Sequence, residues 1–357
     1  MRVRAFFRHW IVAAVMAVGA AIAVSPNNAT AAYKAPPVRL KAVDVYGTDA
    51  LKADAVKHEF RHQFHQLVDA YLKHDMKGVA QITDEVIAKL KSRGSFAYLD
   101  LSVVPYPRPH RGFYITVDAV DAKDKATRMP FRAQPTGAFG DPDGLFAAWG
   151  QYSQKLLKLS SFGRLKPFDP KDCPVLYCVA SFDNAELEPY LQQFNTGAAK
   201  NADTLERIAI DSKDPAKRAE ALFLLSHTND AARVMPILTK AIYDPNEVVR
   251  NNAMLVMVSI ANKELDVDYP VKDLADALDF PTTRGRNKAV AVLDILAKSP
   301  KYRNAIKAAA APTLLKLLRL EQPNNHDWAY QTLKDLSGKN YKDTDYKAWA
   351  KWAALQP

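Results

Sequence analysis

One stretch of this 357-residue chain spells a metal-dependent chemistry. His58-Glu59-Phe60-Arg61-His62 is a literal H-E-x-x-H. On a helix the two histidines stand one turn apart, where they can ligate zinc, and the glutamate can act as general base toward a zinc-bound water. His65 follows near the same face. Arg61 inside the motif and Lys57 before it oppose a divalent cation, and Glu85 is the only plausible downstream acid for a third ligand. The favoured reading is therefore the solvated face of a long amphipathic helix, with no metal and no cofactor expected. A zinc-dependent peptidase built on His58, Glu59 and His62 is the alternative.

A second constellation recurs along the C-terminal half. Arg218-x-x-Ala221, Arg250-x-x-Ala253, Arg286-x-x-Ala289 and His326-x-x-Ala329 follow one another at spacings of 32, 36 and 40 residues. Each copy has a proline upstream (Pro215, Pro245, Pro281, Pro323) and an apolar residue four after the alanine (Leu225, Met257, Leu293, Leu333). A period in this range marks stacked supersecondary units. The triplets Arg250-Asn251-Asn252, Arg286-Asn287-Lys288 and Asn325-His326-Asp327 occupy equivalent positions, so stacking aligns them on one surface. They have two readings. One is an internal ladder bonding the inter-helix turns, which carries more weight. The other is a basic, amide-rich groove for an acidic or extended partner, in which all nine are binding residues.

The two cysteines, Cys173 and Cys178, are five apart and suit a small disulfide loop in an oxidising compartment. Zinc would need further Cys or His ligands nearby, and none lies within 40 residues on either side. No G-x-S-x-G, P-loop or G-x-G-x-x-G occurs. Asp141-Pro142-Asp143-Gly144 has the start of a calcium loop, but Ala147 and Ala148 stand where ligands are needed, so it reads as a turn.

The chain opens with Arg2, Arg4 and Arg8, then an apolar run from Ile11 to Val24, then small residues up to Ala31. That is the layout of a secretory signal peptide over 1–31, and the run is short for a spanning helix. The expectation is export to the periplasm or beyond, with anchoring by an uncleaved signal as the alternative. The remaining chain is moderately basic, with both signs mixed. Basic balance favours contact with an acidic envelope surface or glycan, whereas export argues against nucleic acid.

These residues need elements to place them. LKAVDVYG (40–47) alternates as a strand. Residues 51–76 carry Val56, Phe60, Phe64, Leu67, Val68, Tyr71 and Leu72 on one helical face. A second helix runs through Ile82, Val86 and Leu90 to Gly94, and FAYLDLSVVPY and GFYITVDAVDA follow as two strands. This β-α-α-β-β order over 38–122, with the glycine closing the second helix and the YITVDAV strand, resembles the POTRA module of exported proteins. The resemblance implies pairing with an extended partner segment at the sheet edge. Residues 123–200 connect onward through a helix (145–159) and the cysteine loop. DPNEVVRNNAMLVMVSIA is similar to the HEAT repeat pattern, which implies a helical protein-interaction scaffold over 203–338. Tyr341, Tyr346, Trp349 and Trp352 make 339–357 an aromatic cap for the last repeat, or alternatively a ligand platform.

The expectation is thus an α+β N-terminal module followed by an all-α HEAT-like solenoid, mostly helical overall. The expected function is non-enzymatic: an exported scaffold that binds protein partners through a repeat groove and a sheet edge. A zinc peptidase and an envelope- or glycan-binding protein are the alternatives.

Overall fold

A computed structural model describes residues 39–106 and 111–355. The expected signal peptide lies outside the described residues. The chain is mostly helical, with a small three-stranded sheet at its N-terminal end. In order it forms β1 (Leu40–Tyr46), α1 (Ala53–Glu59), α2 (Arg61–Leu72), α3 (Met76–Lys91), β2 (Phe96–Tyr106), β3 (Gly112–Asp121) and the short α4 (Lys125–Arg128). Then come α5 (Leu145–Ser161), α6 (Glu188–Lys200), α7 (Ala202–Asp211), α8 (Pro215–Leu225), α9 (Ala231–Ala241) and α10 (Glu247–Asn262). The last five are α11 (Val271–Ala277), α12 (Thr283–Ala297), α13 (Pro300–Leu317), α14 (Pro323–Ser337) and α15 (Tyr346–Ala354). Among the described residues, no helix is long and apolar enough to cross a membrane.

The contacts divide the described residues into two units, Phe131–Tyr269 and one that joins 39–130 to 270–355. These cut across the boundaries read along the sequence. The first two copies of the Arg-x-x-Ala refrain belong to the former unit and the last two to the latter.

In the unit built from both ends, β3 is the central strand, parallel to β1 and antiparallel to β2. The parallel pair requires a long crossover, which α1–α3 and β2 supply. Val43, Leu101, Ile115 and Val117 point to one face and form a core with Val56, Phe60, Phe64, Leu67, Val86 and Leu90 of the three helices. The opposite face alternates with it and carries Asp44, Tyr46, Thr116 and Asp118, all buried as well. A strand buried on both faces explains why β3 is enclosed from Gly112 to Val120. Gly47 ends β1 at a positive φ of 89°, where an added Cβ would collide with the Ala119 carbonyl and with Arg128.

One local expectation changes. The single helix expected over 51–76 is interrupted at Phe60 (φ −97°, ψ 19°). Gly78 lies in the first turn of α3, where its N–H donates to Asp75 at 3.0 Å.

Helices pair in sequence: α7 with α8 and α9 with α10 in the middle unit, α11 with α12 and α13 with α14 in the other. Within each unit, the second helices of the two pairs also pack together. The refrain explains both contacts. Ala221, Ala253, Ala289 and Ala329 are fully buried, as are the apolar residues four further on. Small side chains there let helix axes approach. The prolines sit at or just before helix starts, capped by Asp214, Asn246 and Thr282 side chains.

Candidate functional site

Among the described residues, the refrain arginines Arg218, Arg250 and Arg286 are the most buried cations. Arg218 holds Asp244 with two bonds of 2.8 and 2.7 Å, while its Nη1 donates to the Ser212 carbonyl at 2.6 Å. Arg250 Nη1 donates to the Asp244 and Pro245 carbonyls, and its guanidinium lies 3.9 Å from the centre of the Phe131 ring. Arg286 Nη1 donates to the Phe280 and Pro281 carbonyls at 3.0 and 2.9 Å, with its guanidinium 4.0 Å from the Tyr46 ring centre. The rule is common: each arginine reaches the carbonyl six residues upstream and satisfies the turn leading into its own helix.

The asparagines beside them join neighbouring helices. Asn252 donates to the Ala219 carbonyl at 3.3 Å, Asn287 to Asn324 at 2.6 Å and Asn325 to Thr283 at 3.2 Å. Arg250, Asn252, Arg286, Asn287 and Asn325 are buried and occupied by the protein's own backbone, so they face helices, not solvent. Asn251, Lys288, His326 and Asp327 are half-buried. Lys288 donates to Asn287 at 3.0 Å, and burial, then the nearby Arg284, pushes its ammonium pKa down. His326 Nε2 lies 3.5 Å from Asp343.

Sequence reasoning missed the partners that the sheet provides. Asp118 receives Arg286 at 2.5 Å, the Ser102 hydroxyl at 2.7 Å, and both the backbone N–H and the hydroxyl of Thr283. Asp44 accepts the N–H groups of Glu321 and Gln322, both at 2.9 Å, just before α14. Burial raises its pKa to about 6 even though those two donors pull it down. The Tyr46 hydroxyl donates to Asp279 at 2.6 Å, and burial drives its pKa far above the ordinary phenol value. Arg128 donates to the carbonyls of Gly47, Ala119 and Asp279. The available signal was the acid in each strand, VDV and VDA, on the face opposite the apolar one.

The H-E-x-x-H stretch does not lie on one helix. His58 and Glu59 end α1, His62 begins α2, and all three are exposed. Glu59 pairs with Arg93 at 2.5 Å, so the base of the zinc reading is engaged by a cation. Among the described residues, no three His, Cys, Asp or Glu side chains come together to hold a metal ion.

Cys173 and Cys178 form a disulfide, consistent with an oxidising compartment. The loop lies on the α8 end: Leu176 N–H donates to the Ser226 carbonyl, and Tyr177 stacks on Phe223 with ring centres 5.0 Å apart. Beneath it Trp149, Tyr152, Phe182 and His227 surround a cavity of about 10 Å³, room for one water. His227 bonds Asn195 at 2.7 Å, and burial lowers its pKa to about 4. Asp141 accepts the N–H groups of Phe146 and Ala147, so the DPDG turn caps α5.

Among the described residues, the outer side of β2 has no strand beside it. This strand is 11 residues long, and its side chains are mostly half-buried, with Asp100 and Pro105 exposed. No protein-family model matches the chain, and neither does any curated protein it was compared with.

Proposed function

We propose that this chain is a non-enzymatic, exported scaffold that accepts an extended segment of a partner protein along the outer edge of β2. The observation that carries the reading is the strand itself: an 11-residue edge whose main-chain groups, apart from Pro105 with its missing N–H, can pair with one more strand. The β-α-α-β-β module would then act in the manner its resemblance to POTRA modules implies. The helix pairs α11–α14 of the same unit would hold this edge in place, their arginine Arg286 committed to its internal turn. Affinity would come from backbone bonds, and selectivity from the half-exposed Tyr98, Val104 and Tyr106 along the strand. The disulfide agrees with action outside the reducing cytosol.

The test places a photo-reactive residue at exposed Asp100 of β2, and another at exposed Lys57 of α1, in the native host. A single polypeptide captured from position 100 and not from 57 is expected. Hydrogen exchange on the purified complex should then show slowed amides across 96–106. Equal capture at both positions, or unchanged exchange in β2, removes the reading.

A further inference from the structure

The molecule has a second surface, defined by charge. Residues 39–294 carry equal numbers of basic and acidic side chains, yet 295–320 hold six Lys and Arg and no Asp or Glu. The basic character of the described chain is therefore local. It centres on α13, which buries Ile306, Ala310, Leu314 and Leu317 against its own unit. The opposite side of that helix is exposed, with Lys301 near its start, Lys316 near its end and Arg319 just beyond. Ala305, Ala308, Ala309 and Pro312 lie between them, a flat stretch with no side chain to hold a surface away. At 1.5 Å per residue the helix extends about 27 Å.

Some of this charge is answered within the protein. Lys298 stands 3.4 Å from Asp294, and Lys316 stands 3.6 Å from Asp279. Arg303 donates to the Ala297 and Lys298 carbonyls. Lys307 donates to the Leu355 carbonyl at 2.8 Å and lies over the Trp352 ring. Asp294 is buried and the Asp279 side chain is only 26% exposed, so neither carboxylate presents much charge at the surface beside the exposed Lys301, Lys316 and Arg319. Leu355, beside Lys307, is 58% exposed, an apolar tip at the edge of the basic face.

We propose that the outer face of α13, with Lys301, Lys316 and Arg319, docks on an anionic lipid surface. Cations spread along a helix near a negative bilayer are attracted electrostatically, and Lys and Arg stems reach headgroups while the helix stays outside. A single-stranded nucleic acid is the poorer occupant, because its binding sites interleave cations with exposed aromatic platforms. Here Trp349 is fully buried and Trp352 nearly so, and the half-buried Tyr302 and Tyr346 already lie against Lys301 and Arg319, at 5.2 and 4.5 Å from ring centre to cation.

The test is sedimentation of the full chain with vesicles of phosphatidylcholine alone and of phosphatidylcholine mixed with phosphatidylglycerol. Binding to the mixed vesicles only, weakening as salt rises, is expected. Lys301→Gln with Lys316→Gln should lower it about 25-fold, at ~5-fold for each cation. Lys57→Gln with Lys89→Gln, the same change of net charge on α1 and α3, should leave it nearly unchanged. Lys301→Arg with Lys316→Arg should retain binding and guards against loss through misfolding. Absent binding, equal loss in both Gln pairs, or loss in the Arg pair overturns the proposal. So does retention of a single-stranded DNA oligonucleotide without vesicle binding.

Discussion

At the scale of single residues, Arg286 gathers the polar chemistry of its unit. It is fully enclosed, paired with Asp118, and shared among two turn carbonyls, Thr283 and Asn325. Removing one partner of such a pair leaves a buried charge without compensation, at a cost of roughly 3–5 kcal/mol. Arg286→Ala should therefore lower stability by about that amount in urea titration, far more than the ~1 kcal/mol expected of Ser102→Ala, which removes one donor to Asp118. Two buried groups set opposite pH responses. The His227 pKa near 4 lies below the ordinary 6.5, so its contribution is complete above pH 6.5 and is lost as pH falls from there toward 4. The Asp44 pKa near 6 lies above 3.8, so its contribution is complete below 3.8 and is lost as pH rises toward 6. Each amounts to roughly 3 kcal/mol. His227→Gln should flatten the acid slope, and Asp44→Asn the slope between pH 4 and 6, when thermal melting is followed across pH. The arginines and the cysteine pair were legible from residue type and spacing. Asp44 and Asp118 were not, because an acid in a strand declares neither which face it takes nor what meets it.

At the scale of elements, order and type were mostly readable, since apolar period fixes the face a helix or strand buries. Val43, Ile115 and Val117 alternate as a strand must, and the refrain alanines lie where helix pairs meet. An alanine at such a crossing has no room to grow. Ala253→Leu should destabilise the middle unit by about 1–3 kcal/mol, checked by its melting temperature. The cysteine loop is a shorter element with a smaller effect. Closing a ring of this size restricts the unfolded chain by about 2 kcal/mol, so Cys173→Ser with Cys178→Ser should lower stability by that amount and disturb the near-ultraviolet signal of Tyr177 on Phe223. The break at Phe60 escaped the sequence, because the stripe through Val56, Phe60 and Phe64 continues across it.

At the scale of the molecule, each unit has a distinct dependence on its parts. The middle unit, 131–269, is continuous and contains both partners of its buried pair, Arg218 and Asp244. The other unit is assembled from two separated stretches, and Asp118 of one neutralises Arg286 of the other. A fragment of 131–269 should therefore melt cooperatively alone. A fragment of 270–355 should melt without cooperativity until 39–130 is added, as followed by circular dichroism. Failure of the added stretch to change the melt would show that the sheet face contributes little.

The sequence by itself determined the helical periodicity, the strand alternation, the disulfide pair and the spacing of the refrain, because each of these is a local pattern. Tertiary structure alone decided what the refrain arginines do. A guanidinium at 0% exposure needs an acid and carbonyls, and those of Arg286 come from a strand 168 positions away and from the turn preceding its own helix. It also decided the fate of H-E-x-x-H, by interrupting the helix at Phe60 and giving Glu59 to Arg93. Burial and long-range pairing depend on which surfaces meet, and no spacing along the chain encodes that meeting.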